Sequence, residues 1–284
     1  MAFVLSWLGL AVAARAQDPA PASEPAVVLI GIEAQRDRLS YHFDNPSSAD
    51  TPFLVPHYFE QQYVVDNVWL VAKARYTAGI QWETAVGAAA QRDARADDYD
   101  TFFDPGNVVI VAGTTGSAAV QSMQVSQRAD IGRAGPLQVS IGYRLRWDRF
   151  DFGVGHKTVK VNGVLISATE DSSREMTDSK IHDVLVGFRA ARALGGAWHL
   201  SLSGEVSPVT LARLSVQLPD KYPSQDLVFF AKGLSASARV AIVRQGERWP
   251  FEIAVQLDHS WGYQPTAQVS RSAQSVALSA GRTW

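Results

Sequence analysis

Cysteine is absent from the 284 residues, which removes disulfides, thiolate metal ligands and cysteine nucleophiles, and suits a chain that crosses an oxidising compartment without mispairing. Charge is sparse. Only 19% of residues are charged, and 26 Lys and Arg against 28 Asp and Glu leave a formal net charge of −2, so the basic excess of a nucleic-acid binder is missing and no nucleic-acid partner is expected. Gly-rich phosphate loops, zinc-ligand spacings and nucleophile elbows are lacking as well, and no cofactor is expected. The opening apolar run, MAFVLSWLGLAVAARAQ, falls short of the roughly 20 residues that a membrane-spanning helix needs. It ends in Ala14-Arg15-Ala16, a small-x-small arrangement that predicts a signal-peptidase site before Gln17, although nothing basic precedes it and the start codon is therefore in question. The reading divides the chain into a signal peptide (1–16), a disordered Pro/Ala-rich lead-in (17–26) and one domain (27–284).

What the domain does have is alternation. In WPFEIAVQLDHSWGY, residues 249–263, Phe251, Ile253, Val255, Leu257, Trp261 and Tyr263 take every second place, with Glu252, Gln256, Asp258 and Ser260 between them. Successive side chains of a strand point to opposite faces, so the period of two predicts a strand. Ten such segments are read, near 27–43, 58–77, 80–92, 118–131, 137–152, 181–194, 197–213, 227–243, 250–263 and 269–284. Most are about 12–17 residues long, against the usual five or six of globular proteins and the 9–11 that cross a bilayer as a tilted strand. Short links such as Ala78-Gly79, Arg133–Pro136 and Gly195-Gly196 alternate with longer polar stretches at 44–57, 93–117, 153–180 and 214–226. Tight turns at one end and external loops at the other are the habit of an up-and-down membrane barrel. An all-β, ten-stranded antiparallel up-and-down transmembrane β-barrel is the fold expected.

The polar faces support that choice. Lys73, Arg75, Glu83, Arg128, Asp130, Arg144, Arg146, Arg189, Glu205, Arg239, Glu252 and Asp258 all fall on the predicted inner side. A dry core could not absorb a dozen charges, each costing several kcal/mol when unpaired. A wet lumen can, and ten strands enclose a space that side chains largely fill, so a plug of Arg–carboxylate pairs and water is expected. Two strands fit less well: Gln121 and Gln127 of the fourth lie on the lipid side, and the first changes phase near Arg38.

The final segment, QVSRSAQSVALSAGRTW, alternates and stops on Trp284, which resembles the carboxy-terminal signature of bacterial outer-membrane proteins. Arg282 departs from it on the lipid side, where it could snorkel into headgroups. Ten strands and five external loops resemble the omptins, outer-membrane proteases that use an Asp-x-Asp pair and an Asp-x-His pair on the barrel rim. Asp98-Tyr99-Asp100 suits the first pair, which makes Asp98 and Asp100 the catalytic candidates that the resemblance implies. The second pair has no counterpart: no Asp-x-His occurs in the chain.

Asp97, Asp98, Asp100 and Asp104 are in the plain reading a solvated acidic loop, and in the sharper one a site for a hard cation built from carboxylates and loop carbonyls. Asp258 and His259 are strand neighbours pointing oppositely and cannot form a dyad; His182 and Asp183 fail in the same way. His199 is expected inside, near the periplasmic end. The His-x-Ser spacing of outer-membrane phospholipases is missed by His259-Ser260 and by His57-Tyr58. The functional expectation is a monomeric, non-enzymatic outer-membrane barrel whose external loops bind a ligand or shape the surface, with a narrow passage for small solutes as an option. Its partners would be outer-membrane lipids and the barrel-insertion machinery. An omptin-like surface hydrolase with an altered rim is the enzymatic alternative, and a secreted soluble β protein the third.

Overall fold

The computed structural model describes residues 26–44, 58–103, 108–220, 226–245, 248–265 and 267–284. The expected signal peptide and all but Ala26 of the lead-in lie outside them. Eleven strands are described: β1 (Val27–Asp44), β2 (Tyr58–Ala78), β3 (Ile80–Phe103), β4 (Val109–Ala134), β5 (Leu137–Val161), β6 (Val164–Asp171), β7 (Glu175–Gly195), β8 (Trp198–Gln217), β9 (Asp226–Arg244), β10 (Phe251–Gln264) and β11 (Ala267–Thr283). Each pairs antiparallel with its neighbour, and β1 pairs with β11, so ten of them close a ring. The eleventh, β6, stands apart: on the edge away from β4, β5 pairs with β7 up to Phe152 and then, from Gly155 to Val161, with β6. The tight link between β5 and β6 is Asn162-Gly163, with φ of 48° and 81°, the left-handed pair that a two-residue hairpin turn requires. At the seam of the ring a Cβ on Gly281 would lie 1.8 Å from the Val28 carbonyl oxygen; glycine there lets the first and last strands meet.

The expected ring is therefore present, but the strands run further than their alternation suggested. Residues 93–103 and 109–117, read as loop, extend β3 and β4, and much of 153–180 belongs to β5, β6 and β7. Strands of 14 to 26 residues in the ring exceed the roughly 9–11 that the hydrocarbon demands. Their outer halves stand in water.

That excess length resolves the odd first strand. In β1 the alternation never slips: Leu29, Gln35, Asp37, Leu39, Tyr41 and Phe43 are buried, while Val28, Ile30, Ile32, Arg36 and Arg38 are exposed. What changes is composition. Below Arg36 the outer face is apolar and the inner face polar; above it the outer face carries Arg36, Arg38 and His42 and the inner face Leu39, Tyr41 and Phe43. The same reversal occurs in β2 at Asp66, which pairs with Arg36 on the outside at 3.8 Å, and in β5 after Trp147, where Arg149 and Asp151 turn out and Phe150 and Phe152 turn in. A strand that leaves lipid for water must exchange its faces, because apolar area is stable against lipid or core but costs about 25 cal/mol per Å² in water.

Below the reversal a row of apolar side chains crosses the wall in register: Leu70, Ile32, Leu278, Ile253 and Ile242, each between 43% and 62% exposed. Such a belt on a soluble protein would be a large exposed patch; against acyl chains it is the membrane surface.

Candidate functional site

The interior is built in layers. Nearest the end with the tight turns, which faces the periplasm in barrels of this kind, carboxylates are shared among several cations. Glu83 accepts from Arg75 at 2.6 Å, Arg128 at 2.9 Å and Arg189 at 3.2 Å, and Glu252 accepts from Arg239 at 2.5 Å and Lys73 at 3.2 Å. Glu205 bridges Arg128 and, at 3.8 Å, Arg144. Ten of the twelve charges assigned to the inner face, all but Asp130 and Arg146, line a cavity of about 90 Å³, room for several waters.

Mid-barrel the pairs become drier. Asp183 holds Arg144 at 2.8 Å and accepts from Thr210 at 2.6 Å and Ser235 at 2.9 Å. Arg146 reaches Asp148 at 2.8 Å and also Asp37, and its guanidinium lies 4.9 Å from the Trp69 ring centre. Arg271 shares Asp37 at 2.9 Å. Neither Asp37 nor Arg271 is among the inner charges read from the sequence, where the first strand is taken to change phase near Arg38; unbroken parity from Leu29 through Phe43 puts Asp37 inside.

Above these pairs the lumen is apolar, which corrects the expectation of a polar interior throughout. Tyr63, with no exposed surface, stacks on Phe150 with ring centres 3.9 Å apart, and Phe43 stacks on Phe229 at 4.0 Å. Leu39, Ile181, Leu214 and Val216 complete the plug. Burial pushes the Tyr41 and Tyr63 phenols well above their ordinary value, so both stay neutral, and both hydroxyls meet Thr177 Oγ1, at 3.1 and 3.3 Å. Gln61 donates to Glu175 beside them.

The plug is the floor of a cup at the outer mouth. Asp98 and Asp100 face into it from β3, with Thr114, Lys157, Asp171 and Glu175 around them; Lys157 pairs with Asp171 at 3.5 Å. The space is about 20 Å³, enough for one water. Asp97 alternates out of the cup and pairs with Arg95 at 3.1 Å, so the three described acidic candidates do not converge; Asp104 lies outside the described residues. Among the described residues no group of three or more His, Asp or Glu is placed to hold a metal ion. At the rim, Arg174 donates to Asp151 at 2.6 Å and holds its carboxyl below the usual range, while the Arg174 amide donates to Asp220 at 2.7 Å.

The histidines lie elsewhere. His42 stacks on Tyr58 outside the wall, His156 is exposed on β5, His182 touches Tyr143 on the outer face, and His259 packs beside Trp261 as alternation predicts. His199 faces inward toward the end with the tight turns, and its Nδ1 has no hydrogen-bond partner among the described residues. His57 lies outside the described residues.

No family model matches the chain, and no curated protein does. Solved structures do. The outer-membrane protease OmpT of Escherichia coli superposes with a TM-score of 0.66 at 7% identity, covering 95% of this chain and 99% of its own. The β domain of the Bordetella autotransporter BrkA gives 0.40 at 7% identity, over 92% and 100%, and Ail, the attachment invasion locus protein of Yersinia pestis, 0.35 at 8%, over 93% and 100%. In fold, this chain is a ten-stranded antiparallel β-barrel with the architecture of the outer-membrane protease OmpT.

Proposed function

We propose that this chain is a closed, non-enzymatic barrel that works at its external end, presenting a binding surface above the outer membrane. One observation carries the reading: the aromatic and aliphatic plug from Leu39 to Val216 fills the outer half of the lumen above two layers of ion pairs. A solute would have to displace packed rings, each worth about 1.5–3 kcal/mol of burial, so the narrow passage drops out of the proposal. The chain reaches its place by export behind the 1–16 leader and by the barrel-insertion machinery, and stands as a monomer among outer-membrane lipids.

The test is a planar-bilayer recording of the folded protein. Silence is expected for the wild type, whereas Tyr63→Ala, which unstacks Phe150, gives brief unitary steps. Regular conductance in the wild type would refute the closed barrel.

A surface hydrolase is the second reading, favoured by Asp98 and Asp100 facing the mouth of a fold shared with a protease. Against it stand the five described histidines, none of which borders the cup. Peptide cleavage by the purified protein, abolished in Asp98→Ala, would decide for the hydrolase.

A further inference from the structure

Above Glu175 the wall loses a strand. β8 pairs with β7 only as far as Gln217 opposite Met176, so β6, which continues the line of β7 upward, pairs with β5 and with nothing else among the described residues. At about 3.3 Å per residue, its eight residues leave an edge of roughly 26 Å in water. Natural edges of that length are blunted by Lys, Pro or inward charges. Val164–Asp171 reads VLISATED: no Lys, no Pro, one extra residue at the register shift beside Lys160, and carboxylates only at its foot. Its Val164, Leu165 and Ile166 are 64%, 55% and 64% exposed.

The segment is complementary to itself when reversed. Antiparallel pairing lays Val-Leu-Ile of one strand over Ser-Ala-Thr of another, large against small, and keeps Glu170 and Asp171 at opposite ends. Parallel pairing would set large on large and Glu170 on Glu170, and like charges directly opposite are destabilising. The membrane decides what this implies. Two copies in one bilayer can be related only by a two-fold axis along the membrane normal, which makes their β6 strands run the same way. An antiparallel ladder has its axis perpendicular to the sheet, and because β6 rises from the barrel wall, that axis lies in the membrane plane and turns the second barrel over.

We propose that β6 pairs, edge to edge and antiparallel, with β6 of a second copy anchored in an opposing membrane, so that the protein joins two membranes through its own strand. This builds on the external-binding reading above by naming the occupant.

The test uses two populations of phospholipid vesicles, separately labelled, each carrying the full chain, with energy transfer between the labels as the readout of clustering. Wild-type vesicles are expected to cluster with one another and not with bare vesicles. Ile166→Lys and, separately, Ser167→Pro should each slow clustering about tenfold, equivalent to 1.4 kcal/mol, while heat-modifiable gel migration shows the barrel still folded. Absence of clustering by the wild type, equal clustering with bare vesicles, or clustering undiminished in both variants each overturns the proposal. The two readings fail separately: a conducting barrel that still clusters vesicles sinks only the closed lumen, and a silent one that does not cluster sinks only the strand pairing.

Discussion

Replacing Asp37 by Asn removes one negative charge and almost no volume from the middle of the barrel. Arg146 retains Asp148 at 2.8 Å, but the carboxylate that Arg271 shares at 2.9 Å is gone. The Arg271 side chain is only 8% exposed, so water cannot take the place of Asp37. Breaking a buried pair by removing one member costs about 3–5 kcal/mol, because the other charge stays behind. Replacing the pair with apolar groups of similar size is often neutral or stabilising by about 1–4 kcal/mol. Asp37→Asn should therefore lower stability by about 3–5 kcal/mol, and Asp37→Leu combined with Arg271→Met should recover most of that loss. Urea unfolding in lipid vesicles, followed by tryptophan fluorescence and heat-modifiable migration, measures both. A single variant within about 1 kcal/mol of wild type, or a double variant as weak as the single, would show that water reaches this layer and that the pair is not a buried one.

Leu278 sits in the apolar row between Ile32 and Ile253; Leu278→Arg should cost about 2–4 kcal/mol if the row lies near mid-bilayer, whereas Arg38→Leu on the same wall above the reversal should cost little, and equal costs in vesicle unfolding would misplace the membrane. The Arg174–Asp151 pair ties the break between β6 and β7 to β5. Its carboxyl is held below the ordinary value, so the tie is present above the unfolded carboxyl pKa near 3.9 and lost as pH falls through the lower folded value; being exposed, it adds little stability, and its loss should appear as faster amide exchange at Ser173 and Arg174, absent in Arg174→Ala at every pH.

The membrane-spanning halves were legible in the sequence because lipid and wet lumen impose opposite demands on neighbouring residues, and Ile253, Val255 and Leu257 against Glu252 and Asp258 record that conflict directly. The outer halves obey the same period under reversed solvents, so Leu39, Tyr41 and Phe43 looked like a slip of phase. Residues 109–117, VIVAGTTGS, looked like loop, because a projecting sheet with both faces near water needs no apolar side. Asp98 and Asp100 were legible as an acidic pair, and parity even gives their direction. Their neighbours Lys157, Asp171 and Glu175 come from strands that only the closed ring brings round, and nothing local in the sequence records that meeting.

The exchange of faces at Arg36 and Asp66 also guards the pairing of strands. In an ordinary half-buried sheet, a one-residue slip misplaces a single set of side chains. Here the same slip would push Phe43 and Tyr41 into water at one end while driving Glu33 and Gln35 into acyl chains at the other. Two solvents proofread each ladder at once, and a misaligned hairpin meets a penalty wherever along its length it lies.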